Sequence, residues 1–403
     1  MLTVMKFGGS SLATAEKVEN AAGIIVKKAR EGSDIVCVVS AQGKTTDELV
    51  KRAEEVAKAP SPRENDVLLS SGEQISMSLL AMKLCDMGYD SISLLGWQAG
   101  IHTDGRHGNA SIKSVQTERI KKELGKGRIV IVAGFQGISS DDDITTLGRG
   151  GSDTTAIALA AALGADECCI YTDVKGVYSA NPKVAPDAVK HDEMTYDEML
   201  EMSTLGAKVM HNRSVSMAKK SRVGFEVCSS FDGERGTFIH DFAPEKTVSG
   251  IVCDGNIAML TVEGIERGEN TCRLFRLLAA NGISVDVIIR SQLYDGGKGT
   301  VSFSVSETIL PQVRALLEAH RGEVGYTKLS AETGLAKLSA VGSGLADSCL
   351  VASYMLSEMN KLGIDPKYIT TGEIRISVII PREMSISAER ALNSAFFGEG
   401  RRL

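Results

Sequence analysis

The first part of the chain, up to about residue 230, alternates short apolar runs with longer segments whose apolar residues recur at helical spacing. Most of the short runs are apolar at every position, which is typical of strands that are buried on both faces. Helices that alternate with such strands predict an α/β fold with a mostly parallel sheet covered by helices. The predicted strands are 2–7, 35–40, 91–95, 129–133, 168–172 and 225–229.

Two helix ends in this part carry recognisable capping residues. The alanine-rich stretch 155–163 stops at Gly164, and glycine in the left-handed conformation is a common end of a helix. Thr195 and Glu198 have the spacing of a capping box, which predicts that a helix begins directly after Thr195.

The pattern changes after about residue 240, where a weak internal repeat begins. The segment 257–264 (IAMLTVEG) resembles 335–342 (LAKLSAVG), and each copy continues with a helical pattern, a Gly-Ile pair, a second strand and a closing helix. This order predicts two α+β modules of the ferredoxin-like kind. The segment before them contains Pro244, glycines and mixed charges, and it predicts a linker. The predicted division is 1–240, a linker at 241–256, then 257–328 and 329–403.

Composition and charge exclude several classes of protein. The 403 residues suit two or three domains, and the net charge of -6 argues against nucleic acid or an anionic membrane as a partner. No apolar run reaches the ~18–20 residues of a membrane span, and the N-terminus leaves no room for a signal peptide. The eight cysteines form no CxxC pair and the six histidines form no HExxH pattern. We therefore expect reduced thiols in the cytoplasm and no metal held by protein ligands.

The motif KFGGSS, residues 6–11, follows the first predicted strand and is expected to open the first helix. Its glycines let backbone N–H groups approach an anion closely, and a helix N-terminus favours negative charge. Lys6 adds a positive charge and Ser10 a hydrogen-bond donor for a phosphate. The motif is neither a Walker A loop nor a GxGxxG fingerprint. A glycine turn that only packs a strand against a helix is the alternative.

The motif LGRGGSDTTA, residues 147–156, stands at the start of the alanine-rich helix. Arg149 before two glycines and a Ser-Asp pair predicts an anion site in which a guanidinium can hold a carboxylate through two hydrogen bonds. Asp153 could instead be an ordinary helix N-cap.

Polar residues follow three predicted strands at their carboxyl ends, where ligands of open α/β sheets bind. They are Ser40, the pair Thr172 and Asp173, and the glycines of KFGGSS. We expect these strand ends to face one crevice, although each residue taken singly could be a turn residue. Three further segments are expected at the same edge: VVSAQGKTTDEL (38–49) with Thr45 and Thr46, SSGEQ (70–74) with Glu73 at a helix start, and LGAKVMH (205–211) with Lys208.

Taken together, these motifs resemble those of the aspartokinases. The segments that carry the resemblance are, in order, KFGGSS, VVSAQGKTTDEL, SSGE, HGNASI, IVAGFQG, TTLGRGGSDTTAIALAAALGAD, YTDVKGVYSANP and EMLEMSTLGAKVMH. The resemblance covers essentially the whole chain, and the C-terminal repeat is similar to the family's paired ACT regulatory domains. It implies a three-layer αβα sandwich of the amino-acid-kinase kind, followed by two ferredoxin-like ACT modules.

The resemblance also implies an activity, which is the transfer of the γ-phosphoryl group of ATP, with Mg²⁺, to the β-carboxylate of L-aspartate. That carboxylate is already ionised near neutral pH, since its ordinary pKa is ~3.9, so no general base is required. The residues implied for the reaction are Lys6, Asp153 and Lys208. Those implied for ATP are Lys6, Gly8, Gly9, Ser10, Ser40, Thr172, Asp173, Tyr178, Lys183, Lys208 and Val209. Those implied for aspartate are Thr45, Thr46, Glu73, Arg149, Gly150, Gly151 and Ser152.

For the C-terminal modules the resemblance implies feedback inhibition by lysine, threonine or both. The implied effector site contains Ser284, Val285 and Asp286 of the first module, and the modules of two chains are expected to pair in a homo-oligomer. Two alternatives remain: another amino-acid kinase of the same fold, such as one for acetylglutamate or glutamate, or an amino-acid sensor with an inactive kinase fold. The second predicts loss of Lys6, Arg149 or Asp153, and all three are present.

Overall fold

The structure is a computed structural model that describes residues 1–207, 209–232, 234–244, 246–266, 268–292, 298–345 and 349–398. Its contacts divide the chain into two compact units. Unit 1 comprises Met1–Ser179 and Val189–Glu245, and unit 2 comprises Ala180–Ala188 and Lys246–Leu403. Among the described residues, no helix combines the length and apolar character that crossing a membrane requires.

Unit 1 contains seven described helices and twelve described strands. The strands are β1 (Leu2–Phe7), β2 (Asp34–Val39), β3 (Ser91–Leu94), β4 (Ile101–Thr103), β5 (Ile112–Val115), β6 (Ile129–Ala133), β7 (Gln136–Ile138), β8 (Ile144–Thr146), β9 (Glu167–Thr172), β10 (Glu193–Met194), β11 (Phe225–Ser229) and β12 (Thr237–Ile239). The helices are α1 (Ala15–Arg30), α2 (Thr45–Val56), α3 (Pro62–Asp86), α4 (Glu118–Leu124), α5 (Gly151–Leu163), α6 (Tyr196–Thr204) and α7 (Asn212–Ser221).

The main sheet of unit 1 has eight strands in the order β10-β12-β11-β9-β1-β2-β6-β3, and only the β11–β12 pair is antiparallel among its described pairs. Helices α1 and α3 cover one face through buried residues such as Ile25 and Leu80, while α5 packs on the other face. A second sheet, β5-β4-β7-β8, has four strands. The α/β sandwich with a mostly parallel sheet is thus confirmed.

The predicted secondary structure of unit 1 is largely confirmed, since all six predicted strands match β1, β2, β3, β6, β9 and β11 to within one residue at either end. Thr195 and Glu198 form the expected capping box, and Gly164 ends α5 with a φ of 64°. One expectation is wrong. The glycine pair of KFGGSS opens only a four-residue 3-10 turn, and α1 begins at Ala15, where Thr14 accepts a hydrogen bond from the Lys17 N–H.

Unit 2 contains one antiparallel sheet and five described helices. The sheet has the order β14-β15-β13-β16-β18-β17. Its strands are β13 (Gly250–Glu266), β14 (Ile288–Gln292), β15 (Lys298–Ser306), β16 (Lys328–Val341), β17 (Tyr368–Thr371) and β18 (Arg375–Pro381). The helices are α8 (Glu269–Ala280), α9 (Leu310–Ala319), α10 (Arg321–Val324), α11 (Cys349–Lys361) and α12 (Ser385–Phe397).

The strand–helix–strand–strand–helix order is present twice, as β13-α8-β14-β15-α9 and β16-α11-β17-β18-α12, which confirms the two ferredoxin-like modules. The modules share one sheet because β13 and β16 pair along most of their length. Residues 250–254 of β13, which overlap the predicted linker, pair with 337–341 of the second module. The domain boundaries given above remain a prediction.

The segment 180–188 leaves the chain of unit 1 and packs within unit 2. Ala180 and Ala185 are buried in the core of the second module. Three hydrogen bonds join the segment to α12: Asn181 N–H to Glu389 Oε1 at 3.2 Å, Arg390 Nε to the Val184 carbonyl at 2.6 Å, and Ser394 Oγ to Asp187 Oδ2 at 2.8 Å. A segment that interrupts the chain of unit 1 is therefore part of the core of unit 2.

Candidate functional site

Lys6 and Asp153 meet at the carboxyl edge of the main sheet. Lys6 extends from β1, which lies between β9 and β2, and only 8% of the residue is exposed. Its Nζ lies 2.6 Å from Asp153 Oδ1 in the first turn of α5. The two glycine-rich motifs therefore lie at the same edge, as the sequence predicts. Asp153 is not the N-cap of α5, because Gly150 occupies that position with a φ of 71°.

The glycine pair after β1 is packed closely against its neighbours. The Gly8 N–H donates to the Tyr171 carbonyl at 3.2 Å, and a Cβ on Gly8 would lie 3.5 Å from Lys6 Nζ. A Cβ on Gly9 would lie 2.4 Å from the Ala41 carbonyl oxygen, so only glycine fits there. These contacts join the ends of β1, β2 and β9 at one place, with Ser10 exposed beside them.

The loop after β2 runs from Ser40 to the start of α2 and lies against α3. The Ser40 N–H donates to the Phe7 carbonyl at 3.1 Å, and the Ala41 N–H donates to Glu73 Oε1 at 2.9 Å. Thr45 and Thr46 open α2 and are half-buried, and Thr45 Oγ1 donates to the Gln42 carbonyl at 2.7 Å. The loop thereby brings both threonines to the same edge as Glu73.

Glu73 lies in the interior of α3, which corrects its expected place at a helix start. The residue is 3% exposed, and its Oε2 has no hydrogen-bond partner among the described residues. Burial raises the pKa of Glu73 to about 8, against the smaller opposing effect of the Ala41 hydrogen bond. A buried carboxyl group with one unused oxygen is suited to receive a cationic group from a ligand.

The turn 148–150 places Arg149 between two glycines with φ values of 73° and 71°. The Arg149 side chain is exposed and forms no ion pair with any described residue. Directly after the turn, Gly151 begins α5, and the buried Ser152 packs against Gly134 after β6, where an added Cβ would lie 2.8 Å from Ser152 Cβ. A guanidinium without a partner among the described residues therefore lies directly before the start of α5.

The residues expected on the nucleotide side are distributed less tightly. Thr172 ends β9 and donates from Oγ1 to Asp173 Oδ1 at 3.2 Å, and Tyr178 forms an isolated bridge with Lys190. Lys183 is exposed on the segment 180–188, which belongs to unit 2. Two further residues complete this set: Lys208 lies outside the described residues, and Val209 is half-buried.

Carboxylates that could hold magnesium together with phosphate oxygens are Asp153 and the exposed Asp173. A different group, Cys169, Glu226 and Cys228, places possible ligand atoms within 4.8 Å of one another. Glu226 Oε1 already accepts the Gly236 N–H at 3.1 Å, and the hydrogen bond with Cys169, followed by burial, raises the pKa of Cys228, so that group is poorly prepared for a metal.

In unit 2, the expected effector residues precede β14. Ser284 is exposed, Val285 is half-buried, and Asp286 forms an ion pair with Lys337 of β16 and a longer contact of 3.4 Å with Arg375 of β18. Burial raises the pKa of Asp286, but Lys337 and Arg375 outweigh it, so this pKa lies below its ordinary value. Asp286 of the first module is thus bound to two cations of the second.

None of the motifs described above contains Asp66 or Arg213, and both bind the loop 104–111 and the residues directly before the Arg149 turn. A signal for Asp66 was available. It has the helical spacing of the buried residues Leu69, Glu73 and Leu80 of α3, which places an acid on the buried face. Arg213 carries no comparable local signal.

Comparisons with known proteins agree with this geometry. Residues 1–229 match the amino acid kinase family, and residues 338–396 match an ACT domain. The aspartokinase of Geobacillus stearothermophilus is 45% identical over 400 residues, which covers 98% of this chain and 97% of that one. E. coli aspartokinase III in complex with aspartate and ADP (R-state) matches with a TM-score of 0.80 at 25% identity, covering 98% of this chain and 99% of that chain. The same protein in complex with lysine and aspartate (T-state) has a TM-score of 0.79 at 26% identity, with the same coverage.

The kinase-family match covers more than half of the chain, and the identity to a curated relative extends over nearly its whole length. The resemblance drawn from the motifs is therefore confirmed, and the chain belongs to the aspartokinase family.

Proposed function

We propose that this protein transfers the γ-phosphoryl group of ATP to the β-carboxylate of L-aspartate and releases 4-phospho-L-aspartate. That product starts the biosynthesis of lysine, threonine and methionine. The observation that carries the proposal is the 2.6 Å contact between Lys6 and Asp153, which joins the glycine pair after β1 to the first turn of α5. Phosphate-binding and carboxylate-binding elements thereby share one edge of the sheet.

The chemistry needs positioning and charge neutralisation more than proton transfer. A β-carboxylate oxygen attacks the γ-phosphorus, a new P–O bond forms, and the bond to the β,γ-bridging oxygen breaks, so that ADP leaves with the electron pair. The attacking carboxylate is ionised at neutral pH, with an ordinary pKa of ~3.9, so it has no proton to lose. The barrier comes from bringing two anions together, which cationic and N–H groups lower.

Lys6 is the proposed contact to the transferring phosphoryl group, with Asp153 holding its ammonium in place. Because the Gly8 N–H is engaged by Tyr171, the N–H groups of Gly9 and Ser10 are the proposed phosphate donors of this turn. Magnesium, carried by the ATP phosphates, supplies further neutralisation, and Asp153 is the carboxylate suited to bind its water ligands. The proposed remaining nucleotide contacts are Ser40, Thr172, Asp173, Tyr178, Lys183, Lys208 and Val209.

Arg149 is the proposed clamp for the α-carboxylate of aspartate, because its fork of donors has no described partner and matches a carboxylate. Glu73 is the proposed partner of the α-ammonium, since its Oε2 is buried without a partner in the described part of the chain and gains one when the substrate binds. Thr45, Thr46, Gly150, Gly151 and Ser152 complete the proposed pocket. A free amino acid, with both α groups charged, suits this pair better than an N-acylated one.

Lysine, threonine or both are the proposed inhibitors, held near Ser284, Val285 and Asp286. The support is a relative whose T-state contains lysine, together with the acid at position 286. We also propose a homo-oligomer that forms through the ACT modules, whose sheet ends in the edge strands β14 and β17. A cytoplasmic location is proposed because the described cysteines are free thiols.

The activity is tested by measuring ADP formation with ATP, Mg²⁺ and aspartate, and by trapping the acyl phosphate with hydroxylamine. Parallel assays use glutamate and N-acetylglutamate. Aspartate-dependent ADP and hydroxamate formation is the expected result. Turnover with one of the other acceptors alone, or with none, would overturn the proposal.

Inhibition is tested by initial rates at several concentrations of lysine, threonine and their mixture. The expected result is a fall in rate with at least one of them. Rates that stay flat across all three additions would contradict the regulatory part and leave the catalytic part intact.

A further inference from the structure

The loop between β4 and β5, residues 104–111, contains the first five residues of the HGNASI motif (107–112) and lies against the end of β8, where the Ala110 N–H donates to the Thr146 carbonyl at 2.9 Å. No residue of this loop has a role in the proposed chemistry. Two charged side chains on different helices, Asp66 of α3 and Arg213 of α7, bind the loop and also bind the end of β8 directly before the turn. Both helices therefore act on the same short stretch of backbone.

Asp66 is fully buried and its carboxylate is fully used. The Gly108 N–H donates to both oxygens at 3.0 Å, His107 Nδ1 lies 2.9 Å from Oδ2, and Thr146 Oγ1 donates to Oδ1 at 2.5 Å. A buried carboxylate is tolerated only when it is hydrogen-bonded in this way. The result is a tie between the loop at 107–108 and the last residue of β8.

Arg213 makes the second tie, one residue closer to the turn. Its Nη1 donates to Asn109 Oδ1 at 2.8 Å and to the Leu147 carbonyl, and its Nη2 donates to the Ala110 carbonyl at 2.6 Å and to Ser111 Oγ at 3.2 Å. The planar guanidinium has donors in a fixed fork, so four acceptors bound at once fix both segments relative to α7.

Arg149 depends on these ties because its own side chain has no described partner. It follows Leu147 by two residues and stands between Gly148 and Gly150, which have positive φ values. Glycines leave a backbone many alternative conformations, so the direction in which Arg149 points is set by what holds the flanking residues. The Leu147 carbonyl, held by Arg213, is the last fixed point before the turn.

We infer that Arg213 and Asp66 are positioning residues for aspartate recognition: they hold the turn 148–150 in the conformation that aims Arg149 at the substrate's α-carboxylate. The inference rests on the proposed role of Arg149. Neither side chain touches the reacting atoms. Both act by fixing the backbone from which the clamp extends, and a small misplacement of a binding group weakens it strongly.

The first test uses Arg213→Lys and Asp66→Asn. Lysine keeps the charge but loses the fork, and asparagine turns an N–H donor toward the Gly108 N–H or the Thr146 hydroxyl. The KM for aspartate should rise about tenfold in each variant, while the KM for ATP and kcat stay within about twofold. The matched control is Lys219→Met on the same helix α7. Lys219 Nζ forms an exposed ion pair with Asp197 Oδ1 at 2.6 Å and has no described contact with the loop 104–111 or the turn, so this variant should change neither KM.

A merely structural role predicts a different result, in which kcat and both KM values worsen together and thermal stability falls. That pattern would overturn the inference. The milder variant Asn109→Ala keeps the test decisive where the other variants fold poorly, because Asn109 is exposed and supplies only one of the four acceptors of Arg213. Its aspartate KM should rise about two- to threefold.

A double-mutant cycle separates this inference from the proposed function. Arg149→Ala alone should raise the aspartate KM about tenfold or more, because it removes a charge-assisted clamp. In that background, Arg213→Lys should add little, since the group it positions is gone. Full additivity would overturn the positioning role. An unchanged aspartate KM in Arg149→Ala would instead refute the clamp itself, and the inference with it.

Discussion

Each unit of the molecule contains a buried lysine that extends from a strand and pairs with an aspartate, and the two pairs are arranged differently. In unit 1, Lys6 of β1 is 8% exposed and meets Asp153 in the first turn of α5. In unit 2, Lys337 of β16 is 6% exposed and meets Asp286, which also faces Arg375 at 3.4 Å. The Asp153 carboxylate thus faces one described cation, whereas the Asp286 carboxylate faces two.

The difference indicates which charge each pair offers to a ligand. Lys6 has three N–H donors and one described acid partner, and it lies beside the glycine pair, so donors remain for an incoming phosphate. Asp286 is already neutralised by two cations, and its pKa is lowered accordingly. A cationic ligand that binds Asp286 must displace Lys337 or share the carboxylate with it. The Lys6–Asp153 pair thus offers a cation to an anionic ligand. At Asp286, a cationic ligand has to compete with Lys337 for the carboxylate.

The largest expected effect comes from removing the two lysines in turn. Lys6→Met should lower kcat about a thousandfold, because one charge that neutralises the transferring phosphoryl group is lost. Lys337→Met should leave turnover without an inhibitor within about twofold, although the same side-chain change is made in a site of similar burial. Circular dichroism and thermal unfolding establish that both variants fold. Near-normal turnover of a folded Lys6→Met would refute its assigned role.

Asp153→Asn should have the next largest effect, because it removes the only described acid partner of Lys6 and keeps the side-chain volume. We expect kcat to fall between about tenfold and a hundredfold, with the aspartate KM changed less than kcat, since the ammonium keeps its charge but loses its orientation. The matched control is Asp197→Asn, which breaks the exposed ion pair with Lys219. It should leave kcat and the aspartate KM nearly unchanged. Equal effects of the two substitutions would contradict a special role for Asp153.

The pH dependence of aspartate binding tests Glu73. Its pKa of about 8 means that the carboxyl group of the free enzyme is mostly protonated at pH 7 and ionised at pH 9. Only the ionised form attracts an ammonium group, so the apparent KM for aspartate should fall about tenfold between pH 7 and pH 9. Glu73→Gln, which cannot ionise, should show a high KM that is nearly flat over the same range. Parallel pH profiles of the two proteins would exclude Glu73 as the ammonium partner.

Local patterns in the sequence predict much of unit 1 because its sheet is made of short strands with continuous apolar runs and its site is made of glycine-rich strand ends. The rule that parallel strands end at one edge places Lys6 beside the ends of β2 and β9, whereas Asp153 reaches that edge on α5, which follows β8 of the second sheet. The interior position of Glu73 was missed because SSGEQ looks like a helix start, whereas α3 begins at Pro62 and Gly72 lets it approach Ala41 closely.

Unit 2 and the segment 180–188 show what local patterns cannot reveal. Residues 250–254 resemble a linker, yet they form a strand because they pair with residues 337–341 of β16, which are remote in the chain. The segment 180–188 has the composition of a surface loop, but Ala185 is fully buried and Asn181 binds Glu389. Such contacts depend on partners remote in sequence, and no periodicity in the segment itself records them.

The smallest expected effects come from unit 2. There we expect substitutions of Asp286 and of Lys337 to shift the inhibitor concentration for half-inhibition in opposite directions. Asp286→Asn removes the charge that attracts a cationic inhibitor, so the concentration for half-inhibition should rise severalfold, by about 1 kcal/mol for a half-exposed site. Lys337→Met removes the competitor, so the same concentration should fall. Inhibition curves normalised to each variant's own uninhibited rate measure both shifts. Shifts in the same direction would mean that Lys337 supports the effector site instead of competing for it, and the contrast between the two pairs would then be lost.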